Sequence, residues 1–363
     1  MIEMSRTHPP LVPDVFDPEY RAALADVMAR FTPSEMVGAH RWMGTETDRI
    51  AGGAFTAGRL GAVPEPGRVV VTNGTQSAFA MLFGGLVGRG GALAVESLTY
   101  PPVLVLAERL GFRPLPVAMD GEGMLPDALD ALCRRDRPKA VYVLSTLQNP
   151  TTATMSLDRR RAIVDVCRRH DVEIVEDDVY SLLPETRLPP LSALAPERGW
   201  YMLGVAKCLA AGMKLAYVVA PSAARAEALF WPGVRATFWM AAPISAAVGT
   251  RLIESGAAAR IIDAVRAEMR ERHRIILSDV ADLGGITADG ALHIWMTLPA
   301  GVSADSFAQR IRQAGVNIAT AAPYAPPGET APQAIRIGIG HARSRDELVE
   351  AFRRISGCFR GDR

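Results

Sequence analysis

A regular alternation of short apolar runs with helix-patterned segments, from Arg68 onward, constrains the fold of this chain more than any other feature of its sequence. The runs are VVVTN, ALAVES, AVYVLST, EIVEDD, WYMLGVA and KLAYVVAP. Strands that alternate with helices predict an α/β domain in which helices cover both faces of a mostly parallel sheet. Ligands of such sheets bind beyond the carboxyl ends of the strands, so residues that follow these runs are candidates for a functional site.

The pattern changes in the last third of the chain. A long charged helix is predicted from Ala246 to Leu277, followed by the apolar runs ALHIWMTLP, VNIAT and AIRIGIG and a terminal helix from Ser344 to Ile355. The first sixty residues are rich in proline and then helical around Ala22 to Ala29. We therefore predict an N-terminal arm and helix at residues 1–60, a large domain at 61–245 and a small C-terminal α+β domain at 246–363.

Charge and composition narrow the classes of function. Forty basic and thirty-nine acidic residues give a net charge of +1, which would not attract nucleic acid or an acidic membrane surface and favours a small neutral or zwitterionic ligand. Four cysteines without a CxxC pair, and a start that lacks the apolar core of a signal peptide, predict a reducing cytoplasm. No apolar stretch is long enough to span a bilayer, and the histidines lack metal-ligand spacing, so neither a membrane nor a metal is predicted.

The basic residues of the chain include only three lysines, Lys139, Lys207 and Lys214; the other thirty-seven are arginines. Arginine cannot act as an amine nucleophile at physiological pH, whereas a desolvated lysine can. Lys207 directly follows the apolar run WYMLGVA, where a charged amine is costly unless it is neutralised or used in chemistry. This position predicts a functional amine.

Acidic residues and a possible anion site follow two other runs. Glu176, Asp177 and Asp178 end EIVEDD, where a carboxylate can keep the nitrogen of a bound pyridine ring protonated; the alternative is a solvated loop or a helix cap. After VVVTN, the residues Gly74-Thr75-Gln76 open a helix, whose free N–H groups and dipole can bind a phosphate. An ordinary threonine cap is the alternative interpretation.

Two further polar residues follow apolar runs. Tyr100, in ESLTYPP, is suited to lie against the face of a bound ring, although buried tyrosines often have only a core role. Asn149, in LQNPTT, offers an amide that can donate to an oxygen of such a ring, although an Asn-Pro pair is also typical of a simple turn.

Together these stretches resemble the fold type I pyridoxal 5'-phosphate (PLP) enzymes of aminotransferase class I/II. The resemblance is greatest to aminoadipate-like transaminases and to the aminotransferase-like domain of MocR-type regulators, here without their DNA-binding domain. It spans Arg68 to the C-terminus and rests on TNGTQSA, ESLTYPP, LQNPTTATMS, VEDDVYSLL, VAKCLAAGMKLAYVVAP, RATFWMAAP, ALHIWMTLP and AIRIGIG. It implies a large PLP-binding domain with a mixed, mostly parallel sheet, and a homodimer with its active sites at the interface.

The resemblance also implies roles for single residues. Lys207 would hold PLP as a Schiff base and shuttle protons, Asp177 would pair with the pyridine nitrogen, and Tyr180 and Asn149 would hydrogen-bond the phenolic oxygen. Gly74, Thr75, Gln76 and Lys214 would contact the phosphate, with Tyr100 against the ring. Arg336, in AIRIGIG, would bind the α-carboxylate of the substrate beside Asn149, because a planar guanidinium suits bidentate binding.

Several positions depart from the family pattern. Gly204 and Ala206 stand where the family usually has serines on the phosphate, and Lys214 replaces an arginine with a point charge. The usual NPTG turn reads NPTT, and His40 stands where the family lends a tyrosine to the partner's phosphate. In RATFWMAAP, we predict that Phe238, Trp239 and Met240 belong to the core at the domain junction, with lining of the substrate pocket as the alternative.

The resemblance implies transfer of an amino group from an amino acid to a 2-oxo acid. Another PLP reaction, such as that of a lyase, cyclase, racemase or oxidase, stays open because the phosphate residues and the NPTT turn are altered. An effector-binding module of a regulator is disfavoured, since about seventy residues precede TNGTQSA and they are neither basic nor patterned as a winged helix.

Overall fold

The computed structural model describes residues 1–238 and 240–360. Its strands are β1 Ile2–Glu3, β2 Val69–Thr72, β3 Ala92–Glu96, β4 Arg113–Val117, β5 Met119–Asp120, β6 Gly123–Met124, β7 Ala140–Val143, β8 Glu173–Asp177, β9 Gly199–Gly204, β10 Ala216–Val219, β11 Gly285–Ile286, β12 His293–Thr297, β13 Val316–Asn317, β14 Ala319–Thr320 and β15 Ala334–Gly338. Its helices are α1 Pro13–Arg30, α2 Pro33–Val37, α3 Glu46–Leu60, α4 Thr75–Leu86, α5 Pro101–Leu110, α6 Pro126–Asp136, α7 Leu157–His170, α8 Leu191–Leu194, α9 Ala223–Thr237, α10 Pro243–Glu254, α11 Ala257–Asp282, α12 Ala304–Gln313 and α13 Arg345–Arg360. Short 3-10 turns lie at Pro66–Arg68, Val205–Lys207 and Ala322–Tyr324.

The main sheet has seven strands in the order β2-β10-β9-β8-β7-β3-β4, and every pairing is parallel except the two made by β10. In β7 every residue is buried, and successive side chains join different clusters: Ala140 and Tyr142 pack on one face, Val141 and Val143 on the other. Such burial of both faces explains why the strands are continuous apolar runs rather than alternating ones. The predicted α/β class with a mixed, mostly parallel sheet is confirmed.

One edge of this sheet collects the polar residues that follow the apolar runs. Strands β2, β3, β7, β8 and β9 all run in the same direction, so their carboxyl ends meet at this edge. Because β10 runs the opposite way, its first residue, Ala216, pairs with Gly204 and brings the preceding loop to the same edge. The chain order of the strands therefore places Asp177, Lys207 and Lys214 close together, although thirty or more residues separate the first from the other two.

A second sheet, β11-β12-β15-β14, is antiparallel and carries Arg336 on β15. Residues 2–8, which we call the N-terminal strap, pair with β13 through β1 and then run along β15. The N–H of Gly338 donates to the carbonyl of Met4 at 2.6 Å. A Cβ atom at Gly338 would lie 1.9 Å from the carbonyl oxygen of Arg6, and one at Gly340 would lie 2.2 Å from that of His8. The strap can approach this closely only because both positions are glycine.

The structure corrects two predictions. The single helix predicted from Ala246 to Leu277 is in fact two, α10 and α11, because the chain turns at Gly256, whose φ of 73° lies in the left-handed region that glycine adopts at low cost. Phe238 is not core: it is 55% exposed at the end of α9, while Met240 is partly buried and Trp239 lies outside the described residues.

The predicted domain boundaries are neither confirmed nor corrected by the structure. The division at 60/61 and 245/246 stays a prediction, and its second boundary falls within α10. Among the helices formed by residues 1–238 and 240–360, none combines the length and the apolar character needed to cross a membrane.

Candidate active site

A cavity of about 480 Å³ opens at the sheet edge where the strands end. All of the predicted site residues except Arg336 line it: Gly74, Thr75, Gln76, Tyr100, Asn149, Asp177, Tyr180, Lys207 and Lys214. Arg336 adjoins the cavity through a hydrogen bond from its Nη1 to Oδ1 of Asn149, at 2.7 Å. The structure therefore brings the whole predicted set together, from six stretches of the sequence between Gly74 and Arg336.

Two of the three acids at the end of β8 are occupied by structural contacts. Oε1 of Glu176 accepts from the hydroxyl of Ser145 at 2.6 Å, and both of its oxygens accept backbone N–H groups at the start of α8. Asp178 forms a buried ion pair with Arg59, at 2.9 Å, and accepts from the hydroxyl of Tyr201. Both carboxylates fix the sheet to its neighbours and have no role that requires a ligand.

Asp177 differs from its neighbours because one of its oxygens is unused. Oδ2 accepts from the hydroxyl of Tyr142 at 3.0 Å, but Oδ1 is buried and makes no hydrogen bond to any described residue. Burial raises the pKa of Asp177 to about 7, against the opposing effect of Tyr142 and of the nearby amide of Val179. A buried acceptor without a donor is costly, and a cationic N–H group placed there would both satisfy it and favour the ionised carboxylate.

The amine of Lys207 lies at the end of the 3-10 turn that follows β9. Its Nζ donates to the carbonyl oxygen of Thr7 at 2.8 Å and to Oγ1 of the same residue at 3.2 Å. Burial lowers the pKa of Lys207 to about 8, assisted by Arg336 and Lys214 and opposed by Asp177. At pH 7 about one amine in ten is then neutral and nucleophilic, compared with roughly one in 3,000 for a lysine with the usual pKa.

Arg336 is buried on β15 and is held from two sides. Besides its bond to Asn149, its Nη2 donates to the carbonyl oxygen of Ser5 in the N-terminal strap, and its Cζ lies 5.2 Å from the centre of the Tyr324 ring. Its Nε has no hydrogen-bond partner among the residues that the structure describes. A fixed guanidinium with unused donor capacity is suited to bind a carboxylate.

The first turn of α4 forms part of the cavity wall. Gly74, with a φ of 83°, precedes the helix; Thr75 and Gln76 line the cavity, and their N–H groups, at the start of the helix, have no acceptors within it. The exposed side chain of Lys214 comes from a loop that passes close to Gly74. Unpaired N–H groups, the helix dipole and an ammonium group together make a site for a phosphate-sized anion.

The structure explains one departure from the family pattern. A Cβ atom at Gly204 would lie 2.9 Å from Cγ2 of Thr75, closer than carbon atoms can pack, so a serine does not fit there without a shift. Ala206 lines the cavity and is partly exposed. At this part of the cavity, the methyl group of Thr75 occupies the space that a side chain at position 204 would need.

The sequence did not single out the contribution of the N-terminal strap. Oγ1 of Thr7 lies 3.2 Å from the hydroxyl of Tyr180, and His8 lines the cavity with its ring 4.6 Å from that of His341. Burial, followed by the charge of Lys207, lowers the pKa of His8 to about 4, so its ring is neutral at pH 7. The segment RTHPP has neither periodicity nor a motif, so nothing in it indicated a site.

Comparison with known proteins places this cavity in a family. The model of the family described as "Aminotransferase class I and II" matches residues 59–355, more than three quarters of the chain. The chain belongs to the aminotransferase class I and II family. The resemblance inferred from the sequence is confirmed, and Lys207 and Asp177 lie within the matched region.

Relatives within the aminotransferase class I and II family include enzymes and regulators. The chain is 27% identical over 320 residues to the 2-aminoadipate transaminase of Thermus thermophilus, an alignment that covers 85% of this chain and 79% of the relative. It is 25% identical over 287 residues to the uncharacterized HTH-type transcriptional regulator YdeF of Bacillus subtilis, covering 78% of this chain and 61% of the regulator. The chain thus spans less than two thirds of the regulator's length.

Solved structures of aminotransferases share the fold along nearly the whole chain. The α-aminoadipate aminotransferase LysN of Thermus thermophilus, crystallised with N-(5'-phosphopyridoxyl)-L-leucine, has a TM-score of 0.87 at 23% identity and covers 99% of this chain and 92% of its own. The kynurenine aminotransferase of Pyrococcus horikoshii has a TM-score of 0.90 at 20% identity, and the match covers 100% of this chain and 91% of the kynurenine aminotransferase. These likenesses confirm the fold type I architecture.

Proposed function

We propose that this protein is a PLP-dependent aminotransferase that moves the amino group of an amino acid to a 2-oxo acid. One observation carries the proposal: an amine of lowered pKa and a buried carboxylate with an unused oxygen face a single cavity beside a helix N-terminus. An amine, an acid and an anion site are the three partners that PLP needs. The 2-aminoadipate transaminase and LysN, which share the family and the fold, support the same activity.

The residues of the cavity fit the cofactor. Lys207 would hold it covalently, Asp177 would pair through Oδ1 with its ring nitrogen, and the phosphate would bind at the first turn of α4 with Lys214. Tyr100 would lie against the ring, where its hydroxyl is held by a hydrogen bond from Nε2 of Gln76 at 3.2 Å. When bound, PLP supplies an electron-withdrawing ring that stabilises negative charge at the α carbon of the amino acid.

The other residues bind the substrate and move its proton. Arg336, supported by Asn149, would bind the α-carboxylate and so orient the α C–H bond toward Lys207. A lysine with a pKa near 8 can accept that proton and return it at physiological pH, since both of its forms are populated. The amide nitrogen of Asn149 and the hydroxyl of Tyr180 remain to hydrogen-bond the phenolic oxygen of the cofactor.

We also propose a homodimer in the cytoplasm. His40 is exposed, which would allow it to contact a partner's phosphate, and its ring also packs edge-on against Trp42 and Phe238 of the same chain. The four cysteines are free, which supports a reducing compartment. Small-molecule amino acids and 2-oxo acids are the proposed partners, without nucleic acid or membrane.

The test has two parts. Purified protein with PLP is treated with borohydride and digested: the reduced adduct should be found on Lys207, should disappear in Lys207→Ala, and should persist in the control variant Lys139→Ala. The enzyme is then mixed with a panel of amino acids, and the 2-oxo acid, ammonia and oxygen uptake are measured. Production of a 2-oxo acid without ammonia release or oxygen uptake supports amino transfer; ammonia or oxygen consumption would show another PLP reaction, and an adduct on Lys214 would refute the assignment of Lys207.

A further inference from the structure

The N-terminal strap provides the only hydrogen-bond acceptors that the amine of Lys207 uses within residues 1–238 and 240–360. Both belong to Thr7: its carbonyl oxygen lies 2.8 Å from Nζ, and its hydroxyl oxygen lies 3.2 Å from Nζ. The same hydroxyl lies 3.2 Å from that of Tyr180. Thr7 therefore links the reactive amine to the phenol across about 170 to 200 residues of sequence, and it is buried, with 6% of its surface exposed.

We propose that Thr7 is a positioning residue that holds the free amine of Lys207, and that its hydroxyl group sets the proton affinity of that amine. This inference rests on the proposed function, in which Lys207 must leave the cofactor in order to move the substrate's proton. An amine released into a buried cavity needs a defined place and partners for its N–H groups, because unsatisfied donors are costly there. The carbonyl and hydroxyl oxygens of Thr7 provide both.

The chemistry of a hydroxyl group suits both protonation states of the amine. Toward an ammonium group, Oγ1 of Thr7 accepts a hydrogen bond; toward a neutral amine, the O–H can turn and donate to the nitrogen lone pair. The hydroxyl of Tyr180 can donate to Oγ1 or accept from it. The hydrogen bond between Thr7 and Tyr180 is therefore kept whether Thr7 accepts from the amine or donates to it. The bond to the ammonium group is charge-assisted and therefore the stronger of the two, so the hydroxyl raises the pKa of Lys207.

The strap is fixed well enough to carry this role. Its Met4 accepts from the N–H of Gly338, and its Ser5 accepts from Arg336. On either side of Thr7, the carbonyl of Arg6 packs closely against Gly338 and the carbonyl of His8 packs closely against Gly340. Because these contacts involve the strap's main chain, replacing the Thr7 side chain leaves them, and the carbonyl acceptor for Lys207, in place.

The other charged or titratable groups that face Lys207 are Asp177, Arg336, Lys214, His8 and the buried His293, with Tyr180 at the ring. A substitution at Thr7 leaves the charged side chains among them in place and removes one contact, the hydrogen bond between Oγ1 of Thr7 and the hydroxyl of Tyr180. A change in the pKa of Lys207 after removal of the hydroxyl alone would therefore report on that hydroxyl and on the link it makes between Lys207 and Tyr180.

The test exploits the three lysines of the chain. Full-length, cofactor-free protein is treated with a small acylating reagent over a range of pH, and labelling of Lys207, Lys214 and the exposed Lys139 is followed by peptide mass spectrometry. In Thr7→Val, which keeps the shape and loses the hydroxyl, the labelling midpoint of Lys207 should fall by about one pH unit, the shift expected for one lost charge-assisted hydrogen bond. Thr7→Ser should restore the midpoint, and Lys139 should not move in any variant.

Two further controls keep the result interpretable. Thr47→Val, at an exposed threonine of α3, should give the wild-type midpoint for Lys207. If Thr7→Val does not fold, Thr7→Ala gives the same comparison, with circular dichroism to confirm folding.

In the loaded enzyme, kcat of Thr7→Val should fall more than KM changes, and the acidic limb of its kcat–pH profile should move to lower pH.

A midpoint for Lys207 that stays at the wild-type value in both hydroxyl-free variants would overturn the proposal, as would an equal shift of Lys207 and Lys214. These readings use no cofactor, so they are independent of the proposed function. Failure to trap PLP on Lys207 would refute the function, whereas an unmoved midpoint with normal trapping would refute only the role of Thr7.

Discussion

The clash at Gly204 allows a quantitative prediction about the phosphate end of the cavity. Serine at this position, as the family usually has, would place its Cβ 2.9 Å from Cγ2 of Thr75, while Val179 and Ala216 would lie at ordinary contact distances of 3.5 and 3.7 Å. Carbon atoms pack best at about 3.5–4.0 Å, so the contact to Thr75 is about 0.6 Å too short. Relief requires Thr75 to give way, either by rotation of its side chain or by movement of the first turn of α4, whose N–H groups are proposed to bind the phosphate.

The expected cost of Gly204→Ser follows from this overlap. Overpacking of a well-filled site lowers the free energy of unfolding by about 1–3 kcal/mol. Displacement of Thr75, which stands in the first turn of α4 and lines the cavity, should also raise the dissociation constant of PLP by about tenfold, equivalent to about 1.4 kcal/mol. Both effects depend on one methyl group, Cγ2 of Thr75, which Thr75→Ser removes without removing the hydroxyl.

A double-mutant cycle measures that dependence. Urea unfolding and PLP titration are carried out on Gly204→Ser, Thr75→Ser and the double variant, with Ala206→Ser as a control at the neighbouring cavity position. The double variant should recover most of the loss, which corresponds to a coupling free energy of about 1 kcal/mol or more. Additive effects of the two substitutions, or a loss in Ala206→Ser as large as that in Gly204→Ser, would refute the steric explanation.

Three further predictions concern the chemistry of the cavity. Asp177→Asn should still give borohydride-trapped PLP on Lys207 but reduce kcat by about 100-fold or more, since the charge that stabilises the protonated ring is lost; a nearly unchanged kcat would contradict this. Arg336→Lys should raise KM for the amino donor by about tenfold or more, because a point charge replaces a planar pair of donors, and steady-state kinetics would show it. Capture of PLP by the cofactor-free protein should accelerate as pH rises through about 8, where Lys207 loses its proton and becomes nucleophilic; stopped-flow absorbance would reveal a midpoint near 10 if burial did not lower the pKa.

The residues at the carboxyl ends of strands could be predicted from the sequence because two local signals coincide there. An apolar run marks the strand, and a polar residue directly after it marks the edge of a parallel sheet, which is why Asp177 and Lys207 were found without any contact information. The same rule could not rank Glu176, Asp177 and Asp178. Only the packing shows that Arg59 and the start of α8 occupy the outer two and leave an oxygen of Asp177 unused.

Contacts made by the N-terminal strap could not be predicted for a different reason. Thr7 and His8 reach the cavity through main-chain pairing with β13 and β15, more than 300 residues away in sequence, and side-chain patterns carry little information about main-chain pairing in so short a segment. The break between α10 and α11 was missed because an isolated glycine within a helical pattern is often tolerated, and only its φ shows that Gly256 ends one helix and starts another.

The close approach of the strap to Gly338 and Gly340 has a consequence for how mutations in this protein would be interpreted. Neither glycine lines the cavity, yet a side chain on either would collide with a strap carbonyl and displace the residues that contact Lys207 and Arg336. In a saturation-mutagenesis map scored by activity, both positions should tolerate substitution as poorly as Lys207, the proposed catalytic lysine. The map alone would suggest that Gly338 and Gly340 take part in the reaction, whereas their contribution is to leave space for the carbonyls of the strap.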